Sequence, residues 1–267
     1  MRRVVVAALV FLGVILGGAS CLAVTVTWVA DCGYSLQGSE VNVLIDGLLV
    51  YETPEERQVL MREAVAPFDA DIILVTHSHF DHFDAGIVAA NMSANWSAVL
   101  VAPRDVIRDV QDLASHLPED RFHAVAPSTR EPQTVDLPDL TITVYSLPHG
   151  PDGQPRNVGY LFELDSVVFF HPGDGDINEA GTLYESYALH EAGIDAAFLA
   201  WAMFLDAAVG DFTSALGARY LVPTHGTPSL LRMTCERAGD AFGDLFCFRE
   251  YMESIEFEPG EGCPPTE

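Results

Sequence analysis

The sequence predicts one mixed domain of the α/β or α+β class. β-Branched apolar runs alternate with helical patterns along most of the chain. No internal repeat at solenoid spacing accompanies this alternation. Of the 267 residues, 49% are hydrophobic, which is enough to build one large buried core. We therefore expect a single compact domain.

The first third of the chain predicts strands joined by a turn and a helix. The strand-like runs here are residues 24–28, 41–46 and 72–76. A turn is expected at residues 33–38, where glycines flank a short segment. A helix is expected after Thr53, because Thr53 as N-cap, Pro54 at the first position and Glu56 three residues after the cap form a helix-start pattern.

The rest of the chain predicts further alternation. The expected helices are residues 85–92, capped by Asp84, then 106–113 and 184–192. The expected strands are residues 98–102, 140–147, 158–164, 167–171, 195–200 and 220–223. Residues 259–267 are rich in Gly, Pro and Glu and predict a disordered tail.

The first 23 residues predict an export signal or a membrane anchor. Two arginines precede an apolar and small-residue run that reaches Ala19, which is the layout of a secretory signal. Cleaved secretion, lipidation at Cys21 and an uncleaved anchor remain alternatives. Four cysteines follow this segment, and Cys235 and Cys247 are the expected disulfide pair. The sequence thus predicts a periplasmic or extracellular protein.

Positive charge is scarce in this chain and comes from arginine alone. The 13 basic residues include no lysine and face 39 acidic residues, giving a formal net charge of −26. So negative a surface repels nucleic acid and anionic lipid headgroups. We therefore expect a small-molecule substrate, no nucleic-acid partner, and membrane contact only through the N-terminal anchor or a lipid. The sequence predicts no particular oligomeric state.

A dense histidine cluster follows the strand predicted at residues 72–76. The segment VTHSHFDHFDAG, residues 75–86, carries three of the nine histidines. Neutral imidazole and carboxylate are preferred ligands of zinc, manganese and iron. Two imidazoles two residues apart can be aimed at one ion by an extended or sharply turned backbone. The cluster therefore predicts a metal site rather than a solvated polar loop.

The cluster resembles the signature of a known hydrolase family. The pattern H-x-H-x-D-H, formed by His77, His79, Asp81 and His82, is similar to the motif of the metallo-β-lactamase superfamily. Further ligand-type residues follow predicted strands in the order that this family shows. They are His149 in SLPHG, Asp174 in HPGDGD and His225 in VPTHG. The resemblance covers roughly residues 24–230 and implies a four-layer αββα sandwich. We expect the hydrolase domain to span residues 24–258.

The resemblance also implies a ligand set for two divalent metal ions, with zinc expected and manganese or iron as alternatives. One metal would be held by His77, His79 and His149. The other would be held by Asp81, His82 and His225, with Asp174 bridging both. Because no Cys lies in these motifs, the site resembles the glyoxalase II and lactonase branches. His171 is expected either to support a ligand or to be an ordinary turn histidine.

The implied activity is hydrolysis by a metal-bridging hydroxide of an ester, thioester, lactone or amide in a small molecule. Asp81 is the expected catalytic residue, orienting the hydroxide and returning a proton to the leaving group. Arg156 and Asn157 follow His149 and are expected substrate contacts, with Arg156 suited to a carboxylate or phosphate. The alternatives are a phosphodiesterase acting on a small phosphoester or phospholipid headgroup, and a metal-binding protein without activity.

Overall fold

Two β-sheets pack face to face with helices on both outer sides. The structure is a computed structural model that describes residues 23–149, 155–175, 177–204, 209–238, 242 and 245–259. The four-layer αββα sandwich expected from the sequence is confirmed. Residues 1–22, which carry the predicted signal or anchor, and residues 260–267 of the predicted tail lie outside the described residues.

Thirteen strands form the two sheets within the described part of the chain. The strands are β1 Val24–Ala30, β2 Gly33–Gln37, β3 Asn42–Ile45, β4 Ile72–Leu74, β5 Val99–Pro103, β6 Phe122–Val125, β7 Gln133–Asp136, β8 Thr141–Ser146, β9 Val158–Leu164, β10 Val167–His171, β11 Ala196–Ala200, β12 Tyr220–Thr224 and β13 Ser254–Phe257. The first sheet has the order β13-β1-β2-β3-β4-β5-β6, and the second has the order β12-β11-β10-β9-β8-β7.

Parallel strands bring several loops to one edge of each sheet. In the first sheet β3, β4, β5 and β6 are parallel. In the second sheet β10, β11 and β12 are parallel, and β8 shares their direction because β9 is antiparallel to both β8 and β10. The loops that follow these strands therefore open at a common edge of each sheet, where ligand sites of α/β folds are usually found.

Helices cover the outer face of each sheet. The helices are α1 Glu55–Arg62, α2 Ala85–Ala94, α3 Arg104–Leu113, α4 Ile177–Ser186, α5 Val209–Leu216 and α6 Pro228–Ala238, with short 3₁₀ turns at Glu119–Arg121, Leu189–Glu191 and Trp201–Phe204. On the first sheet, Met61 of α1 and Val88 of α2 pack with Leu100. On the second sheet, Tyr184 of α4 packs against Phe170, with ring centroids 5.6 Å apart.

The main core lies between the two sheets. Strand β10 shows how alternation builds the layers: Phe169 enters the core between the sheets, while Phe170 faces the helices of the second sheet. This is the period of two that a strand imposes on its side chains. Tyr34 and Phe198, one from each sheet, meet with ring centroids 4.4 Å apart. The two sheets are thus joined by aromatic packing.

Three sequence predictions of local structure were wrong. Residues 33–38 are largely strand β2, because Tyr34 and Leu36 alternate into the core between the sheets. Thr53 does not cap α1: its hydroxyl donates to Tyr51 O, and the helix begins one residue later than expected, after Pro54. The helix expected at residues 184–192 starts earlier and ends at Ser186, before the left-handed backbone of Ala188.

Other local predictions are confirmed. Asp84 caps α2 by accepting a hydrogen bond of 2.8 Å from Ile87 N. Cys235 of α6 is bonded to Cys247, and the neighbouring Leu245 pairs with Leu221 of β12. The disulfide therefore ties α6 to the edge of the second sheet. None of the described helices combines the length and the apolar character needed to cross a membrane.

Candidate metal centre

The histidine loop joins β4 to α2 and is held by apolar contacts at both ends. Val75 and Phe83 are buried under the helices of the first sheet. Between them, the N–H groups of His82 and Phe83 donate to His79 O at 3.1 and 3.0 Å. With Val75 and Phe83 buried at its two ends and Phe80 exposed, this tight turn presents its imidazoles and the carboxylate of Asp81 toward the second sheet.

The second sheet contributes one residue from each of three loops. His149 follows β8, Asp174 follows β10 and His225 follows β12. The strands β8, β10 and β12 share one direction, so these three residues arrive at the same edge. The structure brings them against the histidine loop of the first sheet, with Asp174 Oδ1 3.2 Å from His82 Nε2 and His149 Nε2 3.3 Å from Asp174 Oδ2.

One group of ligand-type atoms surrounds His77. The ligand atoms of its four members all lie within 4.8 Å of one another; the members are His77, His79, His149 and Asp174. His77 Nε2 lies 3.1 Å from His79 Nδ1 and 3.8 Å from Asp174 Oδ2. Three imidazoles and one carboxylate oxygen thus converge on a single position.

A second group lies on the other side of Asp174. Its members are Asp81, His82 and His225. His225 Nε2 is 3.5 Å from Asp81 Oδ2 and 3.2 Å from Asp174 Oδ2. His82 Nε2 is 3.2 Å from the other oxygen of Asp174, Oδ1. Asp174 therefore contacts both groups, as the resemblance implies for a bridging residue.

The donor set fits divalent metal ions. Asp31, Asp81 and Asp174 each place an Oδ1 atom where it is buried and has no hydrogen-bond partner. A buried carboxylate oxygen without a donor is costly, and a cation compensates for it. Imidazole and carboxylate together are the ligand types that zinc, manganese and iron accept in proteins. The residues present could therefore hold such ions.

Electrostatics at the site favours added positive charge. Burial lowers the pKa of His77 and His79, so both imidazoles are neutral near pH 7 and offer a lone pair. Burial alone would raise the pKa of Asp174, but His82, His149 and His225 hold it well below its usual range. His77, His79 and Asp174 thus have the protonation states that metal binding requires. The pKa of His149 is instead raised by its hydrogen bond to Asp174, and charged neighbours outweigh burial to raise the pKa of His82 and to bring that of His225 to about 9, so these three imidazoles release protons when a metal binds.

The sequence matches a family model that describes a beta-lactamase superfamily domain, over residues 41–225. This range contains all seven of the ligand-type residues that the structure brings together. The chain belongs to the β-lactamase superfamily.

Known proteins resemble this superfamily member in sequence and in fold. A UPF0173 metal-dependent hydrolase of Thermococcus kodakarensis is 28% identical over 171 residues, covering 60% of this chain and 67% of that protein. Igni18, a metallo hydrolase from Ignicoccus hospitalis, superposes with a TM-score of 0.58 at 17% identity, over 88% of this chain and 99% of its own. YhfI of Bacillus subtilis, a metallo-β-lactamase fold protein, superposes with a TM-score of 0.57 at 14% identity, over 88% and 100%.

Sequence reasoning missed Asp46, which orients a ligand of this superfamily site. Asp46 is buried, and its Oδ1 accepts a hydrogen bond of 2.8 Å from Thr76 N. Its Oδ2 accepts one of 2.6 Å from the Thr76 hydroxyl and lies 2.8 Å from His82 Nδ1. A proton on Nδ1 directed at Asp46 leaves His82 Nε2 free for a metal. The sequence feature that could have revealed Asp46 is its position directly after β3, because β3 pairs with β4, the strand that leads to His77.

The turn between β1 and β2 adds two further residues that the sequence did not assign to the site. Asp31 Oδ1 lies 3.6 Å from His225 Nδ1, and burial raises the pKa of Asp31 to about 6. Cys32 is buried and free, with Sγ 3.1 Å from His82 Nδ1. The motifs contain no cysteine, yet the fold places a thiol beside a ligand histidine. Cys32, Asp46 and His82 also form a third group of possible ligands.

Asn157 and His171 hold the turn that carries Asp174. The Asn157 side chain is buried; it donates to Leu147 O and Pro172 O at 2.8 and 2.9 Å and accepts from Asp174 N at 3.0 Å. With both ends of its amide used within the chain, Asn157 positions Asp174 and does not face substrate, which corrects the sequence interpretation.

His171 supports the same turn through both ring nitrogens. Its Nδ1 accepts from Gly173 N at 3.1 Å, so the other nitrogen, Nε2, carries the proton and donates to Cys32 O at 3.0 Å. Gly173 has a φ of +58°, and a side chain there would collide with Asn157 and Thr76. Of the two sequence alternatives for His171, the structure favours the supporting role.

The backbone of His225 and the side chain of Arg156 complete the set of predicted residues. His225 has a φ of +62°, in the left-handed region that a residue with a Cβ rarely adopts. Such strain persists only where the surrounding structure holds it, and it is frequent at functional sites.

Arg156 is exposed and does not join the histidine cluster; it lines a separate cleft with Arg104 and Arg108.

Proposed function

We propose that this chain, a metal-dependent hydrolase of the metallo-β-lactamase superfamily, holds two divalent metal ions and cleaves an ester, thioester, lactone or amide bond of a small molecule. One observation carries the proposal. The two groups of ligand-type residues meet at Asp174, whose Oδ2 faces His149 and His225 while its Oδ1 faces His82. Such a shared carboxylate is what a dinuclear centre needs.

The ligands divide between two positions. One ion would be held by His77, His79 and His149, the other by Asp81, His82 and His225, and Asp174 would contact both. When bound, two divalent cations supply Lewis acidity, which makes water a nucleophile at neutral pH and polarises the bond to be cleaved. Asp46 fixes the ring of His82, and Asn157 fixes the backbone of Asp174. Both ligands are thus oriented before any substrate arrives.

Asp81 is the residue that we assign to proton transfer. Its Oδ2 lies 3.5 Å from His225 Nε2, while its Oδ1 is buried without a hydrogen-bond partner. An oxygen in this state can accept a proton from the attacking water and later donate it to the leaving group. The charge of −26 supports a small substrate, because a polyanion would be repelled.

Metal analysis of the purified protein, together with a panel of lactone, thioester and phosphodiester substrates, tests the proposal. We expect about two ions per chain, as in two-metal hydrolases, and turnover of a carbonyl substrate. His79→Ala and Asp174→Ala should both lose that turnover. His116→Ala should not, because His116 is exposed and lies outside the cluster. A folded protein without tightly held metal would contradict the proposal, and phosphodiester turnover alone would select the alternative activity.

We also propose that the chain is exported. Two features support this: the apolar N-terminal run after two arginines, and the bond between Cys235 and Cys247. The test is the intact mass of the protein recovered from outside the cytoplasm of an expression host. A mass without the first 20 or so residues, the usual signal length, is expected for cleaved secretion. Recovery only of the full-length chain in the cytosol would contradict export.

A further inference from the structure

Arginines gather in one cleft of this acidic protein. The chain has 13 basic residues against 39 acidic ones. Three of the arginines, Arg104, Arg108 and Arg156, line a single cleft of about 660 Å³, together with Asp105, Val125 and Ala126. A volume of this size lies in the usual range for small-molecule sites, roughly 300–1,000 Å³. The cleft is therefore large enough to hold part of a small molecule.

The cleft lies along the same sheet edge as the metal centre. Arg104 directly follows β5 and Ala126 directly follows β6, while β4 leads into the loop of His77. These three strands are parallel and adjacent, and neighbouring strands lie about 4.8 Å apart. Arg156 approaches from the second sheet, in the segment between His149 and Asn157. The cleft thus begins one or two strand spacings from the strand that delivers the histidines.

Two of these arginines keep their charge unpaired within the described part of the chain. Arg108 contacts Asp109 at 2.9 Å, but both side chains are exposed, and an exposed pair of this kind is weak. Arg104 and Arg156 form no ion pair with any described residue. The first turn of α3 begins at Arg104 and adds the positive end of a helix dipole to the cleft. Among the residues that the structure describes, Asp105 is the one acidic side chain in the lining.

We propose that this cleft binds the oxyanion of a small-molecule substrate, a carboxylate or a phosphate, while the bond to be cleaved lies at the metal centre. Arginine presents planar, fork-shaped donors that match both groups. Anion binding by the cleft stands on the arginines alone; its role in holding substrate rests on the proposed hydrolase function. The substrate class that follows is an ester, thioester, lactone or amide with a negatively charged group remote from the reacting bond.

Calorimetric titration of the full-length chain, as purified, with inorganic phosphate and with succinate tests the anion site directly. We expect binding to weaken at least about tenfold in the Arg104→Gln, Arg156→Gln double variant, because each charge-assisted hydrogen bond is worth about that factor. Arg62→Gln is the matched control, since Arg62 is an exposed arginine on α1. Binding should persist in His79→Ala, where the metal centre is damaged. The tighter of the two anions identifies the group that the cleft prefers.

Two titration results would overturn the anion site: no binding of either anion by the wild-type chain, or equal binding by the wild-type chain and the double variant. A loss of binding in His79→Ala with no effect of the double variant would place the anion on the metals and would also overturn it.

A pair of matched esters tests the role in catalysis. The 4-nitrophenyl monoester of succinate carries a free carboxylate, and its methyl ester is the neutral counterpart. In the double variant we expect KM for the charged ester to rise about tenfold or more, with kcat unchanged and the neutral ester unaffected. Equal KM values for the charged ester in the wild type and the double variant would overturn the substrate role. Absence of turnover of both esters and of the lactone and thioester panel, with intact phosphate binding, would instead reject the hydrolase function and leave the anion site standing.

Discussion

The two sheets build the two halves of the metal centre in different ways. The first sheet supplies four of the seven expected ligands from one turn, residues 77–82, in which His77 and His82 are completely buried while His79 and Asp81 are partly exposed. The second sheet supplies single residues from three loops, and the side chains of His149, Asp174 and His225 remain 27%, 17% and 26% exposed. The comparison shows that one short turn carries the first half, with Asp46 as an added support for His82, whereas strand register and the hydrogen bonds of Asn157 and His171 position the second.

Asp174 is the residue through which the two halves meet, and its loss has the largest expected effect. In Asp174→Asn the amide keeps the shape but removes the charge that faces four imidazoles. We expect metal content to fall and kcat/KM to drop by more than about 100-fold, beyond what loss of a residue that only supports a ligand causes. Metal analysis and steady-state kinetics measure both.

Asp195→Asn is the control for this variant. Asp195 directly precedes β11 in the same sheet, and its buried carboxylate accepts a hydrogen bond from Val168 N. If Asp195→Asn and Asp174→Asn lost metal equally, the bridging assignment would be rejected.

The support of the first half is the next test of the comparison. Asp46→Asn removes the carboxylate that faces His82 Nδ1 at 2.8 Å. We expect metal affinity to fall about 10- to 100-fold, the usual effect of removing such a partner. Competition with a chelator measures the affinity. Asp71→Asn serves as the control, since Asp71 accepts from Asn42 N beside β4 without facing a histidine. Unchanged affinity in Asp46→Asn would show that the turn alone orients His82.

Asn157 tests the corresponding support of the second half. Asn157→Ala leaves Leu147 O, Pro172 O and Asp174 N without their partner. We expect the free energy of unfolding to fall by about 1–3 kcal/mol, with a smaller loss of metal affinity than in Asp46→Asn. Urea denaturation and chelator competition measure the two effects.

Asn91→Ala is the matched control for Asn157→Ala. Asn91 is equally buried and donates to Met61 O and Phe68 O beneath the helices of the first sheet. It should destabilise the fold and leave metal affinity unchanged. A loss of metal affinity in Asn91→Ala as large as in Asn157→Ala would mean that general destabilisation, rather than the position of Asp174, explains the effect.

His171 gives the smallest effect and the one that depends on pH. Burial lowers the pKa of His171 despite the nearby carboxylate of Asp46. The unfolded chain then binds more protons than the native chain below about pH 6.5, so the free energy of unfolding falls as pH falls through this value. Above about pH 6.5 the buried, neutral His171 costs no stability. Below that pH, the free energy of unfolding falls by at most about 1.4 kcal/mol for each pH unit.

His171→Gln removes this contribution. Urea denaturation between pH 8 and pH 5 should show the stability difference between the wild type and the variant shrinking as the solution becomes more acidic. A difference that stays constant over this range would contradict a buried, neutral His171.

The same division of the site explains what the sequence could predict. Four ligands could be predicted from the sequence because they lie together in one short motif: His77, His79, Asp81 and His82. The other three ligands each follow a later strand, and only the resemblance indicated that they belong to the same site. They are His149, Asp174 and His225. The sandwich fold, also implied by the resemblance, is confirmed.

Residues that act through tertiary pairing escaped sequence reasoning. Asp46 reaches His82 only because β3 pairs with β4, and Asp31 and Cys32 reach the site only through the turn from β1 to β2. Asn157 looked like a substrate contact because it follows His149, whereas its burial is a property of the folded chain alone. Polarity and sequence position do not reveal which way a side chain points.

The left-handed backbone of His225 has a consequence for laboratory evolution. With φ at +62°, this position would be relieved of about 1–2 kcal/mol if the residue had no Cβ. A library selected only for resistance to heat should therefore enrich glycine at position 225. The chains recovered would fold more robustly and catalyse less, because the imidazole that contacts Asp81 and Asp174 would be gone. Selection for thermal stability would therefore favour glycine at position 225, whereas selection for turnover would favour histidine.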